Sequence, residues 1–242
     1  MTKRLFCILF LLMLAVPAYA ATIVAIVSPQ NAPDVISGAH TFLQQNAKIT
    51  IQIRTTEQWL DLDPAQQQQL LQSAKLVFAG GVFGHAATVL NSSLQQGLVD
   101  NFVAVHSDRQ LVSASQIHNQ PLLINADIEA LMQNPDPDQD AKQWLESHMD
   151  KFPQQHDWLL SRLFWLGRSS TNMQGLFVHL NHLLNRSETQ GRPHLVAPIR
   201  AYYRDEFYRL DQFDFSQKSS WVVLLDYEMG DRPGEKKLLD EL

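Results

Sequence analysis

An α/β fold with a doubly wound, mainly parallel sheet is what the sequence predicts for the first half of this chain, and three observations predict it. Short apolar runs recur at Thr22–Ser28, Lys75–Ala79 and Phe102–Val105, with the length and residue types of strands buried on both faces. Between Lys48 and Arg54, Ile49, Ile51 and Ile53 alternate with polar residues, as in a half-buried strand. Helix-length segments separate these runs, and strand-helix alternation of this kind closes into a parallel sheet with right-handed crossovers.

The elements follow in order. The first strand ends at Pro29, and a helix is expected from about Pro33 to Gln45. Pro64 to Ser73 reads as a glutamine-rich helix that opens on proline and carries Leu70 and Leu71. Gly80-Gly81 breaks the third strand, and a helix is expected from Phe83 to Gln95. The pattern weakens from Ser107 to Asn125, where Pro121 to Ile124 has the residues of one further short strand. Asn134-Pro135-Asp136-Pro137-Asp138 cannot continue a helix, because its prolines lack the N–H and its other residues favour turns, so a domain boundary is expected there. Beyond it Ala141–Asp150 and Gln154–Leu166 read as helices parted by Pro153.

Gly167 can take positive φ and end the second of these helices, while Ser169, Ser170 or Thr171 can cap the next. That helix has an apolar stripe of Met173, Leu176, Phe177, Leu180, Leu183 and Leu184, opposite Gln174, Asn181, His182 and Asn185. A packed helical hairpin is the expectation for Leu163–Leu184, with Trp165 inside it. The chain thus divides into a leader (1–20), an α/β head (21–134), a helical segment (135–194) and the start of a second α/β region (195–242).

Composition narrows the function classes. The 242 residues are 45% hydrophobic and 18% charged, ordinary for a globular protein, and long enough for one large domain or two small ones. A formal charge of -6, with no basic stripe interleaved with aromatics, argues against a nucleic-acid surface. Lys3 and Arg4, the apolar run Leu5–Val16 and Ala18-Tyr19-Ala20 match a cleavable export signal, so the mature chain is expected to begin at Ala21 in the periplasm or outside the cell. The only cysteine, Cys7, lies within that leader, which leaves the mature chain without a disulfide framework or a thiolate metal site.

Phe164 to Asn172 resembles the aromatic-Trp-Leu-Gly-Gly-Ser-x-x-Asn segment of the CobN/magnesium-chelatase large-subunit family. Pro198 to Tyr203 resembles that family's Pro-x-x-Gly-aromatic-Tyr strand. Trp221 to Leu225, followed by Gly230-Asp231, resembles its next strand and helix start. Arg168 and Ala201 stand where the family has glycine, and Arg204-Asp205 where it has His-Pro. The resemblance implies an amino-terminal α/β head and the helical start of a body, in a protein that holds a tetrapyrrole, porphyrin or corrin, for metal insertion or removal. It also implies partner subunits driven by ATP, which is not available to an exported protein, so metal removal or tetrapyrrole handling with membrane transport components fits as well as insertion. The family's catalytic residues map beyond Leu242, so the chain is expected to be a portion of a longer protein or a standalone head. No catalytic residue is assigned to it, no bound cofactor is expected on it, and weak tetrapyrrole binding at most. An exported solute- or metal-binding protein with a doubly wound lobe fits the same strands, although 140–220 looks helical and not like a second lobe. A non-catalytic interaction domain is the third reading.

The remaining candidates are modest. Gly80-Gly81-x-x-Gly84 follows a strand and could present N–H groups to an anion, but it lacks the Lys-Ser or Lys-Thr of a Walker loop, so a tight turn is the favoured reading. His85 falls near the carboxyl end of the sheet, where α/β ligands bind, although a solvent-facing or capping role is the favoured reading. His179 and His182, three apart on one helix, have metal-ligand spacing without a carboxylate one turn away, and partial exposure on the polar side is the favoured reading. His40, His106, His118, His148, His156 and His194 show no ligand spacing, and Asp61/Asp63, Asp136/Asp138 and Asp205/Glu206 fall in turn-like sequence. Tyr202, Tyr203, Phe207, Tyr208, Phe213 and Phe215 are read as core or interface before a macrocycle surface.

Overall fold

A computed structural model describes residues 21–133, 141–167, 169–186, 200–203, 206–209 and 223–225. The expected leader, the break at 134–138 and the carboxylates of Asp136, Asp138 and Asp205 lie outside the described residues.

Strand β1 (Ala21–Val27) leads through α1 (Ala32–Gln45) to β2 (Ile49–Thr55). Helices α2 (Thr56–Leu60) and α3 (Pro64–Ser73) return the chain to β3 (Leu76–Gly80), and α4 (Gly84–Gln95) carries it on to β4 (Phe102–Val105). The sheet order is β2-β1-β3-β4 with all neighbours parallel. It is extended by the two-residue antiparallel strands β5 (Gln116–Ile117) and β6 (Gln120–Pro121). The chain therefore moves to one side of β1 first and then to the other. Right-handed crossovers in opposite directions put α1 and the pair α3 and α4 on opposite faces, which is double winding. The further short strand falls at Gln120–Pro121 and not across Pro121–Ile124.

The interior residues of β1, β3 and β4 are completely buried, as expected for strands covered on both sides. Local chemistry sets the helix starts. Thr55 and Asp63 each form a reciprocal capping box with the glutamine three residues on, and Pro64 follows Asp63. Asp63, exposed to solvent like Asp61, is also a helix cap. Three five-residue helices went unanticipated: α2, α5 (Arg109–Ser113) and α6 (Ile128–Met132). Each is too short to show a 3.6-residue period.

Helices α7 (Ala141–Lys151), α8 (His156–Leu166) and α9 (Ser170–Asn185) pack back onto the head. Every residue of α8 from Trp158 to Leu166 is buried, because one side of it meets the sheet and the other sides meet helices. Trp158 donates its indole N–H to the Ala104 carbonyl of β4 (2.8 Å), and Phe177 of α9 meets Phe42 of α1 at 6.1 Å. Arg162, wholly buried, donates to the Met132 and Gln133 carbonyls at the end of α6 (3.0 and 3.1 Å), its guanidinium 5.9 Å from both Trp144 and Trp158. The segments on either side of the 134–138 break share one hydrophobic core.

The Trp-Leu-Gly segment has a packing role in this core. Trp165 is fully buried, 5.6 Å from the Phe78 ring, and its six-membered ring lies over Gly80, where an added Cβ would come within 2.4 Å of it. Gly167 does not use positive φ: it ends α8 at φ -70. What requires glycine there is the buried Asn172 side chain, which occupies the space a Cβ would need. Ser169 caps α9 by accepting from the Asn172 N–H at 3.2 Å. A second sheet, order β8-β7-β9, is antiparallel, with β7 (Arg200–Tyr203) and β9 (Val223–Leu225) where the resembling strands fall and β8 (Glu206–Arg209) between them in sequence. Among the described residues no helix is long and apolar enough to cross a membrane.

Candidate functional site

In a doubly wound sheet the loops leave two adjacent parallel strands in opposite directions at one point, and the carboxyl ends of those strands open a crevice there. Here that point lies between β1 and β3. The loops after β1, β3 and β4, with the start of α2, enclose a cavity of about 440 Å³ lined by Ser28, Pro29, Gln30, Asn31, Glu57, Gly81, Phe83 and His106. This volume lies within the range of small-ligand sites, about 300–1,000 Å³.

Hydrogen bonds hold the crevice walls in place. The Ser28 N–H donates to the Gly80 carbonyl at 3.0 Å, Asn31 Nδ2 donates to Ser28 Oγ at 2.8 Å, and Gly81, at φ +69, turns the chain beside that pair. Across the crevice, the buried Ser107 hydroxyl accepts from the Val82 N–H (3.1 Å) and donates to the Val105 carbonyl (3.0 Å), while the Asp108 N–H donates to the Val82 carbonyl (2.8 Å). The loops after β3 and β4 thus form one stitched unit. His106 sits in it at φ +46, a left-handed conformation uncommon for a side chain with a Cβ. Its imidazole meets the Phe83 ring edge-on, with centroids 5.6 Å apart and planes at 89°. Phe83 is 51% exposed, a large apolar ring open to solvent at the lip.

The two helix ends at this crevice differ in what they offer. At α1 the Ala32 N–H is already bonded to the Pro29 carbonyl, Pro33 has no N–H and Asp34 adds a carboxylate in the first turn. Helix α4 begins after Phe83 with no side-chain cap and no acidic residue in its first turn. Its leading N–H groups and the positive end of its dipole favour an anion. Asn31, 5% exposed, has its Oδ1 buried without a hydrogen-bond partner among the described residues, in the loop after β1. Glu57, on the short helix α2 that packs against α4, adds a carboxylate to the lining.

The residues singled out in the sequence divide around this crevice. Gly81 lines it, and Gly80 lies under Trp165 one residue away. His85 lies in the exposed first turn of α4 and is not among the lining residues. Sequence spacing passed over His106, Phe83 and Asn31, although each lies just past the end of a strand that the sequence reading located.

His179 and His182 lie elsewhere, on α9 against α8. Their rings are near-parallel with centroids 6.4 Å apart. His179 is fully buried and not partly exposed, because it turns toward Phe164 and Asp157 at the seam between the helices. Its Nε2 is 3.0 Å from the Asp157 carbonyl, so that nitrogen carries the proton, and its Nδ1 is buried without a partner among the described residues. Burial pushes its pKa below the ordinary value. His156 bonds the Asp157 carboxylate at 3.1 Å, which raises the histidine pKa and lowers that of the carboxyl. Among the described residues no three His, Cys, Asp or Glu side chains are grouped to hold a metal ion. No protein-family model and no curated protein matches the chain.

Proposed function

We propose that this protein is the exported α/β head of a tetrapyrrole-handling protein of the CobN/magnesium-chelatase type, and that the macrocycle is met at the crevice between β1 and β3. The observation that carries this reading is the exposed Phe83 ring beside the uncapped start of α4. A flat macrocycle with peripheral carboxylates presents an apolar face and anionic arms, and a ring surface next to a helix start without a side-chain cap complements both. The order of the Trp-Leu-Gly segment and the two later strand motifs supports the same family. The crevice is shallow for a whole macrocycle and supplies one wall, so the head holds an edge of the ligand and the rest of the site belongs to other parts of the assembly. Metal insertion, metal removal and delivery all use such an edge contact.

Titrating the chain from Ala21 with a metal-free porphyrin bearing free carboxylates, followed by absorbance and Trp fluorescence, tests the reading. Binding is expected with a Kd weaker than about 1 μM, which corresponds to less than about 8 kcal/mol. The methyl ester of the same porphyrin should bind more weakly, and Phe83→Ala should weaken both. No binding of either porphyrin up to its solubility limit would sink the proposal.

A further inference from the structure

We propose that a second cavity, between the β5–β6 turn and the α8–α9 hairpin, binds a small zwitterion of the amino-acid class with an apolar side chain, Arg186 meeting its carboxylate and Asp157 its ammonium group. This site is separate from the crevice and does not rest on the tetrapyrrole reading.

Three parts of the chain that lie far apart in sequence meet there. The cavity, about 290 Å³, is lined by Ile117, His118 and Leu122 from the β5–β6 segment, Asp157 from the first turn of α8, and Leu183 and Arg186 from the end of α9. That volume stands at the lower edge of small-ligand sites, about 300–1,000 Å³, and suits an amino acid. Both signs of charge line it. Asp157 Oδ1 bonds His156 at 3.1 Å, a contact that holds its carboxyl below the ordinary range and so keeps it ionised at neutral pH. A carboxylate has two oxygens and accepts further donors beside that one. Arg186 forms no ion pair among the described residues, with Asp157 or with another acid, and its planar fork matches a carboxylate. Opposite charges that line one cavity without closing on each other are complementary to a ligand that carries both.

The backbone adds an independent observation. Arg186 ends α9 at φ +51, and His118 opens the two-residue β5–β6 turn at φ +51, followed by Asn119 at φ +60. Glycine or asparagine is the usual choice at both places, so the chain keeps a basic side chain at each where its backbone favours none. Such residues persist where their surroundings over-determine them. Here the His118 N–H donates to Asn101 Oδ1 at 2.6 Å and the Arg186 N–H to the His182 carbonyl at 2.7 Å, so both walls stand on fixed supports. Ile117 and Leu183 are buried and supply apolar surface for a ligand side chain. Arg186 and His182 also complement the negative end of the α9 dipole, a structural role that ligand chemistry separates from binding.

The test titrates the chain from Ala21 with L-leucine, with leucinamide, which lacks the carboxylate, and with N-acetyl-leucine, which lacks the ammonium group, by calorimetry and NMR. Leucine should bind with a Kd below about 1 mM, and each analogue about tenfold more weakly or worse. Arg186→Asn removes the guanidinium and tolerates the left-handed backbone. It should weaken leucine about tenfold and leave leucinamide unchanged, which a purely structural role of Arg186 would not do. Asp157→Asn should weaken leucine and leucinamide and leave N-acetyl-leucine unchanged. Phe83→Ala, in the crevice, should leave leucine binding as it is. No binding of leucine at about 10 mM would overturn the proposal. So would an equal loss of all three ligands in Arg186→Asn, N-acetyl-leucine binding as tightly as leucine, or loss of leucine binding in Phe83→Ala. None of these results bears on porphyrin binding at the crevice, which is measured separately.

Discussion

Single side chains decide how the helical layer is fastened to the sheet. Trp165 is enclosed by Phe78 and Gly80, so Trp165→Ala removes a large buried ring and leaves a cavity, at a cost of about 3–5 kcal/mol. A lowered denaturant midpoint with an unchanged slope would register that loss, and an unchanged midpoint would contradict it. Gly80→Ala probes the same contact from the other side. The added methyl meets a rigid indole and not the tip of a flexible chain, so overpacking of about 1–3 kcal/mol is expected. His179 supplies a pH dependence. Its folded pKa is depressed by burial, so the folded state resists the proton that the unfolded chain accepts below the ordinary value of 6.5. Stability from this group is therefore present above pH 6.5 and is lost as pH falls from there toward the folded pKa. His156 acts in the opposite direction, since its raised pKa favours the fold at low pH, but it is much more exposed and its share is screened. Denaturant midpoints at pH 7.5 and 5.5 should differ in the native chain and converge in His179→Gln, which keeps a donor for the Asp157 carbonyl.

At the scale of elements, the α8–α9 hairpin follows from a cap, a close approach and a stripe. Ser169 accepts the Asn172 N–H, and losing that cap in Ser169→Ala should cost about 1 kcal/mol. Thermal unfolding measures this directly, and no change would mean that solvent satisfies the helix start equally well. The stripe of α9 was legible because Met173, Leu176, Phe177, Leu180 and Leu183 recur at the helical period, and all are buried. His179 was misread on that same helix. The one-dimensional pattern shows which side of α9 is apolar, but α8 wraps far enough round it to bury a polar neighbour. Gly167 was read correctly as a helix end and for the wrong reason: its φ is ordinary, and the constraint is the Asn172 amide, contributed by the next helix. The short helices α2, α5 and α6 carried capping residues at Thr55, Asp108 and Asp127, signals that were present but too brief to weigh against loop.

For the whole molecule, the proposed export makes one prediction independent of the crevice. Intact-mass measurement of the protein from the envelope fraction should give the mass of a chain beginning at Ala21. A mass retaining Met1 to Ala20 would remove the cleavage from the proposal. The sequence by itself determined the strand-helix order, the parallel β1–β4 core and the helices of the second half, because buried strands and amphipathic helices write their period and apolarity locally. Only the tertiary structure decided that the helices beyond 140 complete the core of the head, and that Ser28, Asn31, Phe83 and His106 converge. The physical reason is that strand order and crossover direction bring the ends of three separate strands, β1, β3 and β4, around one crevice; no spacing along the chain encodes that meeting.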